Sequence, residues 1–197
     1  MADILVLYYS ATGSVRRLAD ALARGVESVD GMRARVRTVP KVAPVTEKAA
    51  PGVPPEGAPY VEAADLVECA GLALGSPTRF GNMAAPLKYF IDGLGPEWAR
   101  GALSGKPAAV FSSTSTMHGG NEATLLTMML PLLHHGMLIV GLPYTAPELS
   151  STRSGGTPYG ATHVSGTGND RAVTDEEARL AYALGKRLAT IARRLAG

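Results

Sequence analysis

Short apolar runs alternate with stretches of helical period along most of the chain, and this alternation limits the fold more than any other feature. Asp3 to Tyr8 is an apolar run of strand length. From Ser14 to Val26, residues Val15, Leu18, Ala19, Leu22 and Val26 recur in steps of three and four, which places them on one helix face. Arg33 to Val39 alternates Arg with Ala or Val, the pattern of a half-covered strand. Asp65 to Leu74 reads as a third strand, and Met83 to Leu94 as a helix with Leu87, Phe90, Ile91 and Leu94 inward. Pro107 to Ser113 is a fourth strand, Asn121 to His135 a helix kinked by Pro131, and Met137 to Leu142 a fifth strand. Thr174 and Glu177 form a capping box, followed by a stripe of Leu180, Leu184, Leu188, Ile191 and Leu195. Five strands alternating with helices predict a doubly wound, five-stranded parallel sheet with helices on both faces.

Three stretches interrupt the alternation. Pro40, Pro44, Pro51, Pro54, Pro55 and Pro59 crowd residues 40–60, which reads as a surface excursion. Residues 95–106 form a Gly-rich loop that carries the only tryptophan, Trp98. Residues 143–170 form a long Gly/Ser/Thr/Pro loop, of a length that usually signals function. A length of 197 residues fits one domain, 1–197, that includes these insertions. The net charge of +2 excludes a strongly electrostatic partner, and no basic tract points to nucleic acid. The single cysteine, Cys69, excludes an internal disulfide and a zinc site built on paired cysteines. It reads as inert core within the third strand. His118, His134, His135 and His163 show no ligand spacing, so no metal site is expected. Ala123 to Leu142 is apolar, but Pro131 and the His134-His135-Gly136 step break it into two short elements rather than a membrane span. The amino terminus lacks a signal-peptide pattern, and a cytoplasmic protein is expected.

In doubly wound folds, ligands bind at the carboxyl ends of the strands. Here those ends are residues 9–14, 75–82, 114–121 and 143–170, all rich in Gly, Ser, Thr or Asn. Ser10-Ala11-Thr12-Gly13-Ser14 joins the first strand to the first helix, so hydroxyls and backbone N–H groups can converge on a phosphate at the helix start. An ordinary Ser/Thr helix cap fits the same residues. Neither a Walker A loop nor a Gly-x-Gly-x-x-Gly turn is present. Gly75 to Met83 offers a cation, an aromatic face and an amide at Arg79, Phe80 and Asn82, which suit a flat polar heterocycle. A proline-shaped turn with a solvated Arg79 fits equally well. Ser112 to Asn121 is dense in hydroxyls and ends in two glycines, which suits either a ring edge or a cap for the next helix. No Gly-x-Ser-x-Gly elbow marks a serine hydrolase.

Several segments together resemble the flavodoxin-like tryptophan-repressor-binding-protein (WrbA) family of FMN-dependent NAD(P)H:quinone oxidoreductases. They are Val-Leu-Tyr-Tyr-Ser at 6–10, Pro-Thr-Arg-Phe-Gly-Asn-Met at 77–83 and Val-Phe-Ser-Ser-Thr at 110–114. His-His-Gly-Met at 134–137 and Gly-Gly-Thr-Pro-Tyr-Gly-Ala-Thr at 155–162 complete a likeness that runs nearly end to end. The resemblance implies a flavodoxin-like fold and FMN as cofactor, with NADH or NADPH as co-substrate. It implies that Ser10, Ala11, Thr12, Gly13, Ser14 and Val15 bind the FMN phosphate. Pro77, Thr78, Arg79, Phe80, Gly81 and Asn82 would cradle the isoalloxazine. Ser113, Thr114, Ser115, Thr116, Met117, His118 and Gly119 would hold its pyrimidine edge. His134 would stand beside the flavin as the catalytic residue, orienting the quinone or supplying a proton. Trp98 and Thr12 would touch the substrates, and the protein would be a homotetramer with sites at its interfaces. Thr12 stands where some family members carry an aromatic, and the third loop reads Ser-Thr-Met-His-Gly-Gly rather than a run of glycines.

The implied reaction is ping-pong: NAD(P)H gives hydride to FMN, leaves, and a quinone takes both electrons. A flavodoxin-type one-electron carrier and a non-catalytic binding protein are the alternatives. Carriers of that type are typically acidic, whereas this chain is slightly basic. Trp98 also fits a plain hydrophobic anchor, and His135 fits a helix-terminal cation better than His134 does. His118, His163 and Tyr159 fit either a site or a turn.

Overall fold

The computed structural model describes residues 1–42, 54 and 56–195. Its centre is a parallel sheet ordered β2 (Met32–Thr38), β1 (Ala2–Tyr8), β3 (Gly71–Pro77), β4 (Pro107–Thr114) and β5 (Leu138–Ile139). A sixth strand, β6 (Gly160–Val164), also pairs with β4. The expected α/β class and parallel sheet are therefore present, with one change at the fifth position. Two short strands share it: β5 pairs with Pro107 and Ala108, and β6 continues along Val110 to Thr114.

The fifth strand expected over Met137–Leu142 is thus mostly absent. Pairing stops at Ile139, Val140 N–H still donates to Ala108 O, and the chain then leaves the sheet at Gly141 and Pro143. It returns as β6, inside the stretch read as a loop. That stretch also holds α6 (Glu148–Ser151). The expected third strand over Asp65–Leu74 needs a second correction. Its first half is α2 (Ala63–Glu68), and the strand is β3. A capping box starts this helix: Glu62 N–H donates to the Asp65 carboxylate, and the Glu62 side chain accepts from the backbone of Asp65. Cys69 consequently sits buried at the end of α2, before β3 rather than within it.

Alternation along β1 divides the core. Ile4, Val6 and Tyr8 face one layer, built with Val15, Leu18 and Leu22 of α1 (Ser14–Glu27) and Leu180, Leu184 and Leu188 of α7 (Asp175–Leu195). Leu5 and Leu7 face the other layer, with Leu66 of α2, Leu87 of α3 (Ala85–Asp92), and Leu125, Met128 and Leu132 of α5 (Asn121–His134). Leu195, expected in the α7 stripe, is 55% exposed. Leu94 is buried but lies beyond the end of α3, before the short α4 (Gly95–Ala99). Helices α1 and α7 approach closely because each presents a glycine. A Cβ at Gly25 would lie 2.0 Å from Tyr182 O, and one at Gly185 would lie 2.0 Å from Leu22 O.

The outer strand β2 directs Arg33, Arg35 and Arg37 at carboxylates of neighbouring elements. Arg33 Nη2 is 2.7 Å and Arg35 Nη2 2.6 Å from Asp3, while Arg37 Nε is 3.0 Å from Asp65. The Arg33 hydrogen bond chiefly holds the Asp3 carboxyl below its ordinary range, against the opposing effect of burial. Burial raises that of Asp65, but the Glu62 N–H and Arg37 outweigh it. The Pro-rich excursion lies largely outside the described residues. Its return is pinned to the end of β2, where Thr38 N–H donates to Pro59 O and Val61 N–H to Thr38 O.

Candidate functional site

The turn from β1 into α1 places Gly13 at φ 90° as the helix N-cap, a conformation that favours glycine. Ser10 Oγ accepts from Gly13 N–H at 3.1 Å and so folds the turn. The N-cap itself supplies no side-chain bond to α1. Ser10 Oγ also accepts from Arg16 N–H at 3.4 Å, while the Ser14 and Val15 N–H groups remain for a ligand, and Arg17 lies against the Gly13 turn, 3.4 Å from where a Cβ would stand. The turn opens on a cavity of about 100 Å³ whose walls come from four strand ends. Of the residues expected in the site, Ser10, Ala11, Thr12, Ser14, Val15, Pro77, Thr78, Arg79, Ser113, Thr114 and Ser115 line it. Ser165 and Asn169, which sequence reasoning did not single out, complete it. They follow β6, and Ser165 Oγ lies 2.9 Å from Asn169 Oδ1. Recognising β6 as a strand is what would have exposed them.

The Pro77–Met83 loop is a tight hairpin. Arg79 N–H donates to Asn82 O at 2.8 Å, and Asn82 N–H donates back to Arg79 O at 3.0 Å. The two central residues, Phe80 and Gly81, have φ of 53° and 76°. Both values are positive, the requirement of a type I′ turn, which ordinarily takes Asn or Gly rather than an aromatic. Phe80 accepts that backbone while its side chain stands fully in solvent. An aromatic both strained and uncovered is the mark of a surface built for contact. The third loop is braced rather than capped: Asn121 Nδ2 donates to Met117 O, and the Thr114 hydroxyl lies 2.9 Å from Asn121 Oδ1. Gly120 is the N-cap of α5, so the alternative reading of this Ser-rich loop as the helix cap is not met. Gly13 shapes the first turn, Gly81 and Asn82 sit at or beside the hairpin tip, and Thr116, Met117, His118 and Gly119 are exposed and do not line the cavity.

A second opening, of about 500 Å³, adjoins the first through Arg79 and is lined by Tyr9, Asn82, Met83, Pro86 and Lys88. Trp98 and His134 line neither opening. They do meet each other: Trp98 Nε1–H donates to His134 O at 2.9 Å. Burial pushes the pKa of His135 down, which favours its neutral form and argues against the helix-end cation expected there.

His163 and Glu177 carry the largest buried polar arrangement near the site. Both are fully buried. The Glu177 carboxylate accepts from Ser154 Oγ at 2.7 Å, Gly155 N at 2.8 Å, Val164 N at 3.0 Å and Thr174 N at 2.9 Å. His163 Nδ1 lies 2.7 Å from it, and its Nε2 has no partner among the described residues. Burial raises the pKa of Glu177, but these donors, His163 first, outweigh it and bring it to about 2. An ionised Glu177 makes Nδ1 the donor. His163 thus anchors the loop behind the site. Among the described residues no group of three His, Cys, Asp or Glu is placed to hold a metal, and no helix is long and apolar enough to cross a membrane.

Residues 2–148 match the family described as NADPH-dependent FMN reductase. The NAD(P)H dehydrogenase (quinone) of Chromohalobacter salexigens is 41% identical over 201 residues, covering 100% of both chains. A WrbA-like flavodoxin from Agrobacterium tumefaciens superposes with a TM-score of 0.69 at 20% identity, over 98% of this chain and 99% of that one. Oxidised flavodoxin 2 from Bacillus cereus gives 0.64 at 18% identity, over 96% and 99%. These two likenesses show the flavodoxin-like fold, and the match across residues 2–148 shows the lineage: the chain belongs to the NADPH-dependent FMN reductase family.

Proposed function

We propose that this protein is an NAD(P)H dehydrogenase (quinone) of WrbA type, which binds FMN and uses it to pass two electrons from NAD(P)H to a quinone. The observation that carries this reading is the start of α1, where the Ser14 and Val15 N–H groups have no partner among the described residues, opening on a polar cavity walled by the ends of β1, β3, β4 and β6. The activity named for the 41% identical relative supports it. Bound FMN would supply the redox chemistry, taking hydride from the nucleotide and giving two electrons to the quinone.

The residues present fit that cofactor. The free N–H groups of Ser14 and Val15, with the hydroxyls of Ser10, Thr12 and Ser14, suit its phosphate, and Arg17 adds positive charge beside them. Thr114, Ser115, Ser165 and Asn169 offer hydroxyl and amide groups to its ribityl chain. Arg79, at the edge of the cavity, and its neighbours Phe80 and Asn82 on the hairpin would meet the ring. Trp98 and His134 would act on the quinone as a joined pair, the indole fixing the backbone that carries the imidazole.

A homo-oligomer belongs to the same proposal. Leu126, Leu130 and Leu133 form an exposed stripe on α5 that runs toward Trp98, which is 57% exposed. A second copy covering that stripe would bring the Trp98–His134 pair into an interface, and a tetramer is the state the resemblance implies. Light scattering on the purified protein tests it: a monomer overturns the assembly.

The activity is tested under anaerobic conditions. FMN-loaded protein receives one equivalent of NADPH or NADH and then benzoquinone. Bleaching of the flavin absorbance, followed by full recovery on one equivalent of quinone, is the expected result. Bound FMN that stays oxidised under excess nucleotide would contradict the reading.

A further inference from the structure

A third cavity, of about 250 Å³, lies on the far side of Ser115 from the flavin cavity, and the two share that residue. Arg153 and Arg171 line it from two separate loops, with Ser154, Thr167 and Ser115 between them. Both arginines are exposed. Among the described residues neither forms an ion pair, as is also true of Arg16, Arg17, Arg24, Arg79, Arg187, Arg193 and Arg194. The acid adjacent in sequence, Asp170, does not itself line the cavity, but its carboxylate lies over Gly166, which does, and Arg171 Nε lies over the same glycine.

The roots of both arginines are fixed. On the Arg153 side, Thr152 Oγ1 donates to Gly155 O at 2.7 Å, and Ser154 Oγ donates to the buried Glu177. On the other, Arg171 N–H donates to Ser165 O at 3.0 Å, and Ser165 Oγ donates to Thr114 O at the end of β4. Two arginines on braced loops, lining one cavity among hydroxyls, supply the donors that suit phosphate esters. FMN carries one phosphate, which the start of α1 accounts for. A dinucleotide is long enough to lay its nicotinamide on the flavin while its phosphates lie outside the flavin cavity.

We propose that Arg153 and Arg171 form a subsite for the phosphates of the nicotinamide dinucleotide, beside the flavin site. This rests on the reading that NAD(P)H is the reductant, and it gives that reductant a place to bind.

Calorimetric titration of FMN-loaded protein with NADP+ and NAD+ tests it. For R153Q/R171Q, NADP+ binding is expected to weaken about 10- to 100-fold, the loss of one or two charge-assisted contacts. R153K/R171K, which keeps charge without the planar fork, is expected to fall between. Loss confined to NADP+ assigns the subsite to the 2′-phosphate, and equal loss for NAD+ assigns it to the pyrophosphate. Unchanged binding of both nucleotides to R153Q/R171Q overturns the subsite. A salt series on the parent protein needs no substitution: NADP+ affinity should fall as salt rises while the KM for benzoquinone stays flat. A salt-independent NADP+ affinity would overturn it as well. The two proposals fail separately. A parent protein that binds NADP+ through these arginines but leaves its flavin oxidised under NADPH contradicts the reductase. One that bleaches normally, with binding indifferent to both arginines, contradicts the subsite alone.

Discussion

The first and last long helices begin in opposite ways. At the start of α7, Thr174 and Glu177 cap each other, and the Glu177 carboxylate is saturated by Ser154, Gly155, His163 and Val164. At the start of α1, the N-cap is Gly13, and among the described residues the one side chain that takes a first-turn N–H is Ser10, whose Oγ accepts that of Arg16 at 3.4 Å and leaves those of Ser14 and Val15 open. Both ends lie beside the same strand ends and have similar fields. A saturated helix start is structure, fixing the loop at 154–155. An open one, next to a cavity of hydroxyls, is capacity for a ligand. This difference separates residues that hold the fold from residues we propose to hold FMN.

Substitutions should respect the division. Glu177→Ala strands several buried donors and is expected to cost about 3–5 kcal/mol in urea unfolding. Loss of less than about 1 kcal/mol would mean that the network does little for the fold. Acid probes the same carboxylate. Its folded pKa of about 2 lies below that of an unfolded glutamate, so its contribution is complete above the unfolded value and fades as pH falls toward about 2. That contribution is about 3 kcal/mol, and Glu177→Gln should flatten this part of the stability–pH curve. The depressed Asp3 and Asp65 act in the same direction, so some acid lability should survive in the variant.

Gly185→Ala tests what joins the two helices. Its Cβ would meet the Leu22 carbonyl, and a loss of about 1–3 kcal/mol is expected, with FMN stoichiometry retained in the folded fraction. At the open end the pattern inverts. Thr12→Ala should weaken FMN by about 1 kcal/mol, read by flavin fluorescence, and leave the melting temperature where it was. An equal effect on stability would erase the distinction drawn here. The smallest change is expected at Phe80. Phe80→Asn relieves a positive-φ aromatic and should raise stability by about 0.5–1 kcal/mol while lowering turnover with quinone.

How much of this is legible in the sequence depends on the range of the interactions. β1, β4, α1, α7 and the capping box at Thr174 follow from local period and composition, and the structure keeps them within a residue or two. The turn before α1 is legible as a junction because glycine and hydroxyls cluster between an apolar run and a helical period, although the same residues also fit an ordinary cap. α2 was hidden because its apolar residues read as a strand start, although Glu62-Ala63-Ala64-Asp65 carries the cap. β6 was hidden because Gly160-Ala161-Thr162-His163-Val164 has loop-like composition, and only pairing with β4 makes it a strand. Ser165 and Asn169 went unseen with it. The contact between Trp98 and His134 spans 36 residues, and the cavity shared by Arg153 and Arg171 joins two loops. Such pairings are decided by packing, and no periodicity records them.

The claim that the open start of α1 holds the FMN phosphate is tested most directly by one comparison. Apoprotein is titrated with FMN and with riboflavin, which differ only in that phosphate. FMN binding at least about 100-fold tighter, with the gap narrowing in Thr12→Ala, is the predicted result. Equal affinities would place the cofactor's anchor elsewhere and contradict the account.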